Sequence, residues 1–304
     1  MFRHTLVHRA LTLAFVATLA ACGGGSGSNE AATGGTGGTG DTGGTGGTGG
    51  TGSTGGTGST GGTGSTGGTG GTGGSGTASL NDCVDASWAS LPSGHTTRSV
   101  FDYQGIITGE QTVETRVGGS ASFEGQSAIE VTATTQGTNA VQGATVASTT
   151  VIKSYHQQAS GGLVHLLGAT TDVTVAGSVV GGITIPGTTT TARTVYDPAD
   201  INREYTLAVG ESLTKTVTSR TTAQGQTTTS SGSFTHTFEA RETVTVPAGT
   251  FQTCRYKVTA SGDGSVSMNW LIVGKGLLAK AEITSASGVQ RVVLKSGHYN
   301  GTPL

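Results

Sequence analysis

The chain has 304 residues, of which 55 are glycine and 11% are charged, with a formal net charge of −2 and a pI near 6.4. A weakly acidic chain without a basic run lacks the electrostatic footprint of a nucleic-acid binder, so that class of partner is excluded. Thr, Ser and Val dominate outside the glycine-rich part, and long runs of Ala, Leu, Glu and Lys are missing, which is strand composition rather than helix composition.

Arg3 and Arg9 flank the start of a short apolar run, Leu11 to Leu19, that ends in small residues. That is the anatomy of an export signal, and it is too short to span a bilayer, which takes ~20 apolar residues. Leu19-Ala20-Ala21-Cys22 resembles the lipobox of bacterial lipoproteins. The resemblance implies a diacylglycerol on the Cys22 sulfur, cleavage before Cys22 and a further acyl chain on the new N-terminus. The other reading is an ordinary signal peptide cleaved nearby, with Cys22 incidental. Two or more acyl chains, at ~0.8 kcal/mol per buried methylene, suffice for stable anchoring, so the membrane itself is an expected partner. Gly23 follows the cysteine. In lipoproteins of Gram-negative bacteria an Asp there signals retention at the inner membrane, and Gly implies release to the outer membrane. The expected location is the cell envelope, on the periplasmic face of the outer membrane or at the cell surface.

Residues 23–77 hold more than half of the chain's glycines, with Thr and Ser filling most of the remaining positions. Such a tract has almost no apolar surface to offset the entropy of ordering. It reads as a flexible tether with a root-mean-square span of ~40 Å. The organisation is therefore a signal peptide over 1–21, a lipid-anchored disordered linker over 22–77 and a β-domain over 78–304.

If Cys22 carries lipid, Cys83 and Cys254 are left as a pair in an oxidising compartment, and a disulfide between them is predicted. The alternative is two free buried thiols. Two Cys without a CxxC or a His at ligand spacing do not make a zinc site, so no metal and no cofactor is expected.

"SLNDCVDASWASLPSG" (79–94) is the one stretch with a helical reading, capped by Asn81 or Asp82 and ended by Pro92 and Gly94. Beyond it the chain alternates in strand fashion over about 97–107, 110–117, 120–135, 144–157, 162–183, 189–196 and 204–222, with "GG", "GQ" and "DP" as punctuation. "SFTHTFEARETVTV" (233–246) places Phe234, His236 and Phe238 on one face. "SVSMNWLIV" (265–273) places Val266, Met268, Trp270 and Ile272 together, after a "GDG" turn (262–264). "GLLAKAEIT" (276–284) sets Leu277, Ala279, Ala281 and Ile283 against Lys280 and Glu282. These one-side-wet strands without crossover helices predict an all-β antiparallel meander, rolled into a barrel or half-barrel.

"VTVPAGTFQTCRYKV" (244–258) followed by "MNWLIVGKGLLAKAEI" (268–283) resembles the C-terminal signature of an uncharacterised family of bacterial envelope lipoproteins. "YTLAVGESLTKTVT" (205–218) matches a further pattern of that kind, so the resemblance covers about 205–295. It implies an open, half-barrel β-fold similar to that of lipoprotein carriers and related periplasmic domains. Leu271-Ile272-Val273 departs from it, since polar or aromatic residues more usually follow the Trp. Physically the turn needs no chemistry: Pro247 presets φ, Gly249 takes a positive φ and Phe251 re-enters the core.

The usual catalytic signatures are absent. "GGSAS" (118–122) and "GESLT" (210–214) fail as serine-hydrolase elbows, and no HExxH, P-loop or EF-hand loop is present. His95, His156, His165, His236 and His298 are scattered, with His165 and His236 on apolar strands that would face inward. Glu110, Glu114, Glu124, Glu130, Glu239 and Glu242 are the carboxylates that could meet as an acid–base pair. The expectation is a non-enzyme: an anchored envelope domain whose curved sheet holds a hydrophobic ligand, such as a lipid acyl chain, or an envelope protein. Phe234, Phe238, Met268 and Trp270 are the residues placed on the concave face. A surface-displayed adhesive or scaffolding module is the second reading, and an unrecognised hydrolase the third. An apolar cavity of several hundred cubic ångströms would separate the first from the second.

Overall fold

The computed structural model describes residues 78–84, 91–141, 144–159, 163–180 and 183–304. The leader, Cys22, the glycine-rich tract and residues 85–90 of the expected helix lie outside the described residues.

The strands in chain order are β1 (Thr96–Gly105), β2 (Thr108–Phe123), β3 (Gln126–Val141), β4 (Ala144–Gln158), β5 (Val164–Val175), β6 (Ser178–Val180), β7 (Ile183–Ile185), β8 (Thr188–Ile201), β9 (Ser212–Ala223), β10 (Gln226–Val246), β11 (Gly249–Ala260), β12 (Val266–Ile272), β13 (Leu278–Ser285), β14 (Gly288–Tyr299) and β15 (Thr302–Pro303). Each pairs antiparallel with its neighbour in sequence, except that the β6–β7 hairpin is an excursion between β5 and β8, which pair directly. β14 returns to β1, with Phe101 opposite Leu294 and Tyr103 opposite Val292, and closes a barrel of 12 strands. The all-β meander is thus as expected from the sequence, and its sheet closes rather than staying open. Closure removes the edges that a Thr/Val-rich sheet would otherwise expose.

Period-2 burial explains the closure. Thr97, Ser99, Phe101 and Tyr103 of β1 are buried, and they face Gln111, Val113 and Thr115 of β2 in register. Val117, Val131, Ile152, Val292 and Leu294 extend the same inward face, each contributing about 1.5–3 kcal/mol by leaving water. The Val-Pro-Ala-Gly turn forms as read, with Val246 paired to Gly249 and Gly249 at φ +140°.

Three local expectations change. Gly118-Gly119 is a bulge inside β2 rather than a break between strands. One extra residue on β2 shifts its side-chain phase, so Phe123 leaves the interior and joins Ala128, Tyr155, Leu167 and Val195 in a second cluster on the outer face. Phe123 stacks on Tyr155 with ring centroids 4.4 Å apart, and the Arg193 guanidinium lies 4.5 Å from the Phe123 centroid. Gly168 lies under that ring: a Cβ there would sit 2.3 Å from the Thr194 carbonyl oxygen and 2.5 Å from Phe123.

Secondly, β8 runs on through Asp197-Pro198, and the chain that follows is not a strand until Ser212. Arg203–Thr206 forms a single 3-10 turn that carries Glu204 and Tyr205 into the barrel. Thirdly, the described part of the expected N-terminal helix is one 3-10 turn, Leu80–Cys83. Its N-cap is Ser79, whose N–H donates to the Asp82 carboxylate at 3.0 Å, rather than Asn81 or Asp82. Leu80 N–H donates to the Leu207 carbonyl at 2.8 Å, and Gly276 N–H to the Cys83 carbonyl at 2.9 Å. Leu80 and Cys83 are fully buried, so these two turns stopper one end of the barrel. Cys83 and Cys254 come to disulfide distance there, with Cα atoms 6.1 Å apart. Among the described residues no helix is long and apolar enough to cross a membrane.

Candidate functional site: a cavity beside a seam in the barrel

β8 and β9 pair only from Ala192↔Ala223 to Tyr196↔Ser219. Beyond Tyr196 the strands part, because β8 stays with β5 as far as Ile201↔His165 while β9 continues along β10. The Arg203–Thr206 turn sits in this sector, and Lys215 of β9 reaches across the seam. Its ammonium donates to the Ile201 carbonyl at 3.3 Å and to Glu204 Oε2 at 2.8 Å, and it pairs with Asp200 Oδ1 at 3.0 Å. Asp200 and Glu204 are both buried, so two carboxylates share one ammonium away from water. Burial pushes the Glu204 carboxyl above the usual carboxylate range, against the opposing pull of the Lys215 charge and hydrogen bond.

Next to this cluster lies a cavity of about 560 Å³. Val217, Phe234, Val258, Val266 and Ile283 give it apolar walls, and Glu204 and Tyr205 also line it. The walls follow from the register: His236 pairs with Val258, Val258 with Ser267, and Ser267 with Ile283, all on the inward face. The His236 Nδ1 and the Tyr256 hydroxyl share a hydrogen bond, and both residues are buried along the cavity wall.

Of the four residues expected on the concave face, Phe234 lines the cavity. Phe238 is on the same inward face but fully buried in the core, one step deeper. Met268 and Trp270 are not brought to the cavity. Met268 pairs with Lys257 and Glu282, and Trp270 with Arg255 and Lys280, on the face opposite Ser267. The apolar alternation of this strand misleads because two of its inward residues are Ser267 and Asn269, the latter fully buried and donating to the Tyr256 carbonyl at 3.3 Å. Trp270 is covered from outside instead. Its indole N–H donates to Glu242, the Lys280 ammonium lies 4.1 Å from its ring centroid, and Arg255 ties Glu242 to Glu239. Charged stems can bury an outward aromatic in this way.

The remaining candidates disperse. His236 is at the cavity, whereas His165 is half-buried opposite Gln157 and Ile201, on the other face from its core neighbour Val164. His156 is buried 2.7 Å from the Ser154 hydroxyl, and burial holds its pKa down at about 3. Glu110 pairs with Lys295, Glu114 with Arg98, Glu124 with Arg193 and Glu130 with Lys153. These carboxylates do not face one another across a cleft. Among the described residues no group of three or more His, Cys, Asp or Glu could hold a metal ion. Asp200, Glu204, Lys215, Tyr256 and Val258 were not singled out from the sequence. The signal available was five charged residues within a 16-residue stretch of an otherwise charge-poor chain, at 200, 203, 204, 211 and 215.

No protein-family model and no curated protein sequence matches the chain. Among solved structures, the chain is similar to a β-barrel-like protein of the domain of unknown function DUF1849 from Brucella abortus, at 8% identity over 68% of this chain and 99% of that one, with a TM-score of 0.40. It is also similar to a protein described as exported, with a YmcC-like fold, from Bacteroides fragilis, at 14% identity over 68% of this chain and 96% of that one, with a TM-score of 0.29.

Proposed function

We propose that the chain is a non-catalytic envelope lipoprotein, anchored to the outer membrane through Cys22, whose barrel holds an apolar or amphipathic small molecule in the cavity beside the β8–β9 seam. The cavity carries this reading. At about 560 Å³ it lies within the size range of small-molecule sites, and its inventory is of the same kind: apolar walls with a few convergent polar groups. The lipobox-like Cys22 and the long glycine-rich tract support a leash that would let such a barrel approach a membrane or a partner. A Cys83–Cys254 disulfide belongs to the same reading, since it would tie the Leu80–Cys83 turn to β11 and so hold the stoppered end, whose Glu204 and Tyr205 line the cavity.

The test uses the chain from Gly23 onward, which keeps every described residue, and the neutral dye N-phenyl-1-naphthylamine. Its fluorescence is expected to rise and shift to the blue on addition of the chain, saturating at one equivalent. Val258→Trp, which places an indole in the cavity wall, is expected to abolish the signal. Thermal unfolding of the variant checks that the barrel persists. A parent chain that leaves the dye unchanged contradicts the proposal.

A further inference from the structure

We infer that the cavity selects an amphiphile with a cationic head, an alkylamine in its simplest form, over a fatty acid or a neutral alcohol of the same length. This rests on the cavity being a ligand site, as proposed above. Among the described lining residues Glu204 supplies the one carboxyl, and none is Lys or Arg. Lys215 stands behind Glu204, but its three N–H donors are already directed at Asp200, Glu204 and the Ile201 carbonyl. An incoming carboxylate would therefore find no donor on the ammonium and would face two like charges. Glu204 is different, because a carboxylate has about four lone-pair sites, and the Lys215 bond and one backbone N–H engage two of them. Burial also raises the cost of keeping Glu204 ionised beside an ammonium that it shares with Asp200. A ligand ammonium beside Glu204 would supply a further counter-charge, while its alkyl chain lies along Val217, Phe234 and Val258. The other polar spot on the wall does not compete for that head, since His236 and Tyr256 are bonded to each other.

Titration calorimetry at neutral pH with decylamine, decanol and decanoate, each below its aggregation threshold, tests the order. Decylamine is expected to bind about tenfold more tightly than decanol, the typical worth of a hydrogen bond to a charged group, and decanoate more weakly than both. Glu204→Gln is expected to shrink the ratio of decylamine to decanol affinity toward one. Decanoate binding as well as decylamine, or an amine-to-alcohol ratio of one in the parent chain, overturns the inference while leaving the cavity as a ligand site. Failure of all three to bind overturns both. The parent-chain series stands by itself if Glu204→Gln does not fold.

Discussion

Lys215→Met is expected to lower folding stability at neutral pH by about 3–5 kcal/mol, the usual cost of stranding buried charge. Lys215 is 14% exposed, and its partners Asp200 and Glu204 are 5% and 3% exposed, so water can do little to compensate for its loss. The pH dependence gives the effect its signature. Glu204 already has a folded-state pKa above its unfolded value, and removing the ammonium raises it further. A carboxyl shifted upward is best tolerated when protonated, so the deficit is full at neutral pH and shrinks as pH falls toward about 4. His156, held neutral with a pKa of about 3, is present in both chains, so its contribution, full above the unfolded value of about 6.5, is lost from both as pH falls and leaves their difference to the cluster. Urea unfolding of both chains between pH 4 and pH 7 should therefore show their midpoints converging in acid. Parallel curves would mean that the seam is not held by an ionic cluster.

Breaking the Cys83–Cys254 link is the second large effect. The two residues are 171 apart in sequence, and closing a loop of that length removes about 5 kcal/mol of unfolded-chain entropy in the loop-closure argument. The bond would join the Leu80–Cys83 turn to β11, so its loss frees the stopper as well as the chain. Reduction, or Cys83→Ser with Cys254→Ser, is expected to move the urea midpoint down by an amount corresponding to several kcal/mol with little change in far-ultraviolet circular dichroism of the folded state. Alkylation under denaturing conditions should block both thiols only after reduction. Immediate alkylation without reductant would show the alternative of two free buried thiols.

The barrel was legible in the sequence because its strands mostly obey one rule, alternation of inward and outward residues. Ala279, Ala281 and Ile283 of β13 and Phe234, His236 and Phe238 of β10 face inward as that rule requires. The rule failed where polarity and direction separate. In β12 the polar Asn269 is an inward, fully buried residue satisfied by the Tyr256 carbonyl, and Trp270 faces outward under the Lys280 ammonium. Hydrophobicity alone gives that strand the wrong phase. Gly118-Gly119 looked like a turn because two glycines suit either a turn or a bulge, and only pairing with β3 distinguishes them. The cavity's polar end was out of reach for a different reason. Asp200, Glu204 and Lys215 meet only because β8 and β9 separate after Tyr196↔Ser219, and no local pattern announces where two strands stop pairing.

Occupancy of the barrel is the claim on which the functional account stands. Native mass spectrometry of the chain extracted from its own membranes in mild detergent, compared with the denatured mass of the same sample, addresses it directly. The account predicts one extra mass of a few hundred daltons that is present in the native spectrum and gone on denaturation, and that is missing from a Val258→Trp chain. Identical native and denatured masses for the parent chain, with no bound molecule recovered by solvent extraction, would contradict it.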